Sequence, residues 1–218
     1  MMSLNRVKTL LATGLLATVG WAGAASAVTV TFDNITNNTT DIASQLVLEV
    51  VDVGTGAQFT FSGATGPATS FGIAEIYFDD DTPVFVAPPV EIASSPGVVF
   101  EEGGVNTPAN LPGGNTVGFS ATSGMVAEST GRNANTIGVG EFYTVELTYA
   151  VGQDFDDFLA ALEDGSFNVG MHVRSINGGT SDAYVNLPPV PPVPLPAAGL
   201  LLLGALGGLG LARRRRRA

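Results

Sequence analysis

The chain has 218 residues, no cysteine and a formal net charge of −11. Between residues 28 and 187, 20 acidic residues face only two arginines, Arg132 and Arg174, which leaves a charge of −18 on that stretch. This balance disfavours nucleic acid and anionic lipid as partners, and the missing cysteine removes disulfides, thiolate nucleophiles and cysteine-ligated metals.

At the N-terminus, Arg6 and Lys8 precede a mostly apolar run at 9–23, and Ala25-Ser26-Ala27 has small residues where signal peptidase cuts. Residues 1–27 therefore read as a signal peptide cleaved after Ala27. The stretch 28–187 has the length of one ordinary domain and reads as a β-rich exported domain.

Its first strand places Val28, Val30 and Phe32 on one face, and a polar turn follows at 33–41. Over 45–53, Leu46, Leu48 and Val50 alternate with Val47, Glu49 and Val51, a pattern with apolar residues on both faces that points to a second covering layer. A glycine loop at 54–56 and an alternating run at 57–62 complete a hairpin. The strand at 71–78 stops at Asp79-Asp80-Asp81-Thr82-Pro83. Residues 84–92 read as a broken edge strand, because Pro88 and Pro89 lack the donor that a central ladder needs.

Residues 94–118 are rich in Gly, Pro and Asn and are expected to form a mobile surface loop. Short strands are expected at 117–122 and 125–128. A stronger one at 138–150 places Tyr143, Val145, Leu147 and Tyr149 on one side. The spacing of Phe155, Phe158, Leu159 and Leu162 predicts a helix over 154–165, capped by Asp154 and ended by Gly165. A strand at 166–176 with Phe167, Val169, Met171 and Val173 inward, a turn at 177–180 and a strand at 183–187 close the domain.

The sole histidine, His172, has no nucleophile–base motif beside it, so the expectation is a structural role and no enzymatic activity. Acidic groups carry more weight. Asp79, Asp80 and Asp81 follow a strand, while Asp154, Asp156 and Asp157 gather at the helix start, and these six are the candidate calcium ligands. No EF-hand loop or glycine-aspartate nonapeptide repeat accompanies them. Solvated acidic turns are the simpler reading, with no cofactor expected other than this calcium alternative.

The C-terminus has three parts: a proline-rich linker at 188–196, an apolar run at 197–212 and arginines at 213–217. As a helix, the 16-residue run would reach ~24 Å against a bilayer core of ~30 Å. The expectation is a transmembrane helix at 197–212 with a cytoplasmic arginine tail at 213–218. The fold class expected is therefore mainly β, an antiparallel β-sandwich-like single domain with one short helix, plus that C-terminal helix.

Val193, Pro194, Leu195, Pro196 and Ala197, followed by the apolar run and the arginines, resemble a PEP-CTERM sorting signal of the VPLPA-CTERM type. The stretches 170–173 and 181–186 resemble a segment common just before such tails, and 76–80 resembles another. The resemblance implies an exported substrate of an exosortase, a membrane-embedded cysteine transpeptidase, in a Gram-negative bacterium that makes exopolysaccharide. The expected partners are signal peptidase, exosortase, the membrane through the C-terminal helix, and exopolysaccharide. The expected location is the inner membrane as a precursor, then the cell surface or extracellular matrix. The function expected is a structural protein of that matrix or of a biofilm. The alternatives are a calcium- or carbohydrate-binding adhesion module and, less favoured, a secreted hydrolase.

Overall fold

The computed structural model describes residues 26–102, 111–127 and 135–188. Most runs of alternating apolar and polar residues become strand: β1 (Ala27–Val30), β3 (Leu46–Asp52), β4 (Gly56–Gly63), β5 (Gly72–Asp80), β6 (Phe85–Ser94), β9 (Phe142–Tyr149) and β10 (Phe167–Arg174). Among the described residues four further strands complete the set, β2 (Asp33–Asn34), β7 (Phe100–Glu102), β8 (Ser123–Ala127) and β11 (Asp182–Val185), together with one α-helix, α1 (Phe155–Asp164).

The strands form two antiparallel sheets, one of five in the order β1-β3-β4-β9-β6 and one of six in the order β2-β11-β10-β5-β8-β7. Leu48, Phe59 and Val145 from the first meet Ile76, Phe78 and Met171 from the second in one apolar core. The Phe59 ring binds the layers together, with centroids 5.7 Å from Phe78, 6.1 Å from Phe167 and 5.5 Å from Phe158 of α1. The Phe78 and Phe158 contacts are edge-to-face, an arrangement that adds to what area burial contributes.

The helix forms where its spacing predicts. Asp154 accepts from the backbone N–H groups of Asp156 and Asp157, and Asp157 reciprocates to the Asp154 N–H in a capping box. Gly165 ends the helix at φ +80°, a left-handed conformation that glycine adopts without penalty. Phe155, Phe158 and Ala161 are buried, and Leu159 and Leu162 pack half-buried against the same core. The proline-broken strand also lies where expected: β6 is an edge, and its register against β9 shifts between Val86 and Val90, across Pro88-Pro89.

Three expectations are corrected. Residues 94–118 are not simply a surface loop, because Phe100–Glu102 pairs with β8 and Leu111 is buried against the six-stranded sheet. The strand expected at 117–122 does not form, since a 3-10 turn at Gly114–Thr116 and a left-handed Gly118 (φ +78°) curl the chain instead. Third, no helix among the described residues is long and apolar enough to cross a membrane. On the described residues the expectations of a transmembrane helix at 197–212, of the membrane as a partner and of an inner-membrane precursor stage are therefore corrected to a mainly-β fold with no membrane-spanning helix. The 16-residue run falls short of a ~30 Å core by its own arithmetic, and it lies outside the described residues, as do 1–25 and the sorting motif 193–197.

Candidate functional site

The two sheets differ on their outer faces. On the five-stranded sheet, half-buried polar pairs such as Gln58–Glu146 (3.1 Å) and Thr60–Thr144 (3.0 Å) bond across β4 and β9. The outer face of the six-stranded sheet is instead roofed by residues 111–122, with Leu111 and Phe119 packing on Tyr77, Ala183 and Val185. Gly170 of β10 makes the room. A Cβ there would come within 2.7 Å of Leu111 Cδ2 and 2.8 Å of Phe119 Cζ.

Strand β5 presents Glu75, Tyr77 and Asp79 to this face, while Ile76 and Phe78 turn into the core. A bulge sets that register: His172 pairs with Glu75 and Val173 with Ile73, so Ala74 is skipped and Ile73 rejoins the inner face. Across the rungs, Glu75 faces His172, Tyr77 faces Gly170 and Asp79 faces Asn168.

At one end of this row, Glu75 is fully partnered. The Tyr77 hydroxyl donates to Oε2 at 2.6 Å, His172 Nδ1 lies 3.0 Å from the same oxygen, and Arg174 Nη2 bonds Oε1. Burial pushes the Glu75 carboxyl up, but the hydrogen bonds from His172 and Tyr77 and the charge of Arg174 outweigh it and hold the group below its ordinary range. Burial and the adjacent Glu75 drive the Tyr77 phenol upward, so it stays a donor. A carboxylate–imidazole pair has the form of a general base with its orienting acid, yet the hydroxyl in the cluster already donates to the carboxylate, which leaves no activated nucleophile.

At the other end, Asp79 is 2% exposed. The Ser120 N–H donates to its Oδ2 at 2.7 Å. Its Oδ1 has no hydrogen-bond partner among the described residues, and neither does the Oδ1 of Asn168, whose Nδ2 donates to the Gly165 carbonyl at 2.7 Å. Both residues line a polar pocket of about 150 Å³ whose wall also includes Asp81, Asp164, Leu187 and Pro188. Burial raises the Asp79 carboxyl, the Ser120 bond partly opposes it, and the charges of Asp81 and Asp80 add to the rise.

The six sequence-predicted calcium ligands are not brought together. Asp80 turns away from Asp79 and accepts the Val84 and Phe85 N–H groups, both at 3.0 Å. Asp154 and Asp157 are occupied in the capping box, and Asp156 is exposed on the first helical turn. Among the described residues no three His, Asp or Glu side chains gather as a metal-holding group. Of the residues at the predicted signal cleavage, Ala25 lies outside the described residues. Ala27 opens β1 opposite Val51, so cutting after it would remove the first rung of the strand.

Sequence reasoning does not single out Glu75, Tyr77 or Asn168. The outward row Asn168, His172 and Arg174 on β10 is visible as alternation, but nothing local says that β5 lies beside it. No protein-family model, curated protein or solved structure matches the chain.

Proposed function

We propose that this is a non-enzymatic, exported structural protein of the cell surface or extracellular matrix, processed by an exosortase near residues 193–197 and associated with exopolysaccharide or biofilm. The observation that carries the reading is the order of the C-terminal sequence: Val193-Pro194-Leu195-Pro196-Ala197, then the apolar run, then five arginines. The architecture is compatible with it. A closed sandwich ends at Val185, and Pro188 sits over Gly165 at the point where the proline-rich stretch begins. Proline resists regular structure, which suits a segment that a processing enzyme must reach. The sole histidine lies beside Glu75 rather than beside a nucleophile, which supports a role without catalysis.

Intact-mass analysis of the protein recovered from its host, with and without the exosortase gene, tests this. The expected result is a chain ending near 193–197 in the first strain and a chain retaining 197–212 in the second. Recovery of 197–212 in both strains would remove the sorting reading.

A further inference from the structure

We propose that the pocket between Asp79 and Asn168 is a binding site for a hard divalent cation of the calcium class. The fold leaves two side-chain oxygens unmet. Asp79 Oδ1 and Asn168 Oδ1 sit on facing rungs of β5 and β10, both buried and both without a hydrogen-bond partner among the described residues. A buried polar atom without a partner loses its hydration and regains nothing, and a carboxylate loses more than an amide. Both residues line one pocket, which gives the two atoms room for a shared occupant.

The occupant must be something that two acceptors welcome. Every polar side chain on the wall is an oxygen acid or an amide: Asp79, Asn168, Asp81 and Asp164. The Asn168 Nδ2 group is already committed to the Gly165 carbonyl, which fixes its oxygen as the free atom. No lysine, arginine or histidine lines the pocket, and the surrounding domain carries 20 acidic residues, so the local field concentrates cations.

Calcium suits the site better than magnesium. It accepts six to eight oxygens in irregular geometry, from carboxylates, amide carbonyls and water, whereas magnesium demands a tight octahedron. One buried carboxylate and one amide oxygen, with water completing the shell, make an open site, and Asp81 and Asp164 on the wall add negative charge around it. The expected Kd is in the range of extracellular modules, about 0.1–1 mM. Because Leu187 and Pro188 also line the pocket, the bound ion would fasten the last strand where the chain leaves the domain. The inference rests on the domain alone and stands apart from the reading of the sorting tail.

The test is thermal unfolding of the purified full-length chain in chelator-treated buffer, with calcium chloride added to ~10 mM. Calcium is expected to raise Tm by about 3–10 °C, reversibly on chelation, with magnesium giving a smaller shift. Asp79→Asn keeps the shape, retains an acceptor for the Ser120 N–H and removes the buried charge. It should therefore raise the calcium-free Tm and abolish the calcium response. Two results would overturn the proposal: no calcium shift in the native chain, or an equal shift in the Asp79→Asn chain. If calcium is inert and acidification alone raises Tm, the occupant is a proton on Asp79 and the cation site is likewise ruled out.

Discussion

Glu75 and Asp79 lie four residues apart on one face of one strand, and they end in opposite electrostatic states. Glu75 meets an imidazole, a phenol and a guanidinium, and its carboxyl is held low. Asp79 meets one backbone N–H and keeps an unpartnered Oδ1, and its carboxyl is pushed up. Burial acts upward on both. What separates them is the facing rung of β10, His172 in one case and Asn168 in the other. Donors within reach, from the facing strand and from Tyr77 of the same strand, rather than depth, decide whether a carboxylate on this sheet is a fastening or an unmet acceptor.

The comparison can be broken most forcefully at its midpoint. Gly170 lies between the two ends beneath Leu111 and Phe119, and Gly170→Val should push that roof away from the sheet. Overpacking of this kind costs about 1–3 kcal/mol, and a lowered denaturant midpoint would register it. Fluorine NMR of a labelled Phe119, or methyl NMR of Leu111, should show the environment of the roof changing. An unchanged midpoint would mean that residues 111–122 do not seal the face.

A smaller effect is expected at the Glu75 end. Glu75→Gln keeps the shape but removes the charge that His172, Tyr77 and Arg174 share. Arg174 is partly solvated, so its share is screened, and the loss at neutral pH should be about 1 kcal/mol. The pH dependence is the sharper readout. Glu75's folded value lies below its unfolded one, so its contribution is present above the ordinary glutamate range and is lost as pH falls through the lowered value. Asp79 behaves oppositely: its contribution is complete below the ordinary aspartate range and is lost as pH rises through the raised value. In calcium-free buffer, Glu75→Gln should flatten the acid limb of the stability curve and leave the Asp79 limb intact.

The inner architecture is legible in the sequence because its signals are local. Asp154, Gly165 and the Phe155–Phe158 spacing specify α1 within a dozen residues, and the proline pair of β6 announces an edge. The outer face is not legible, because its partners are distant in the chain. Leu111 and Phe119 lie among glycines and a proline that read as loop, yet they pack on a strand about 50 residues later. The run 117–122 has the alternation of a strand, but Gly118 takes a left-handed turn. Asp79 stands out by its charge and groups in sequence with Asp80 and Asp81. Successive strand residues point to opposite faces, so the group dissolves on folding, and the partner that matters, Asn168, carries no charge to draw attention.

The most direct measurement is site-specific titration of the Glu75 and Asp79 side-chain carboxyls by carbon NMR in calcium-free buffer. The account predicts a Glu75 midpoint below the ordinary value of about 4.3 and an Asp79 midpoint above the ordinary value of about 3.9, with the Ser120 amide shift following Asp79. Two unshifted midpoints, or a depressed Asp79, would contradict it.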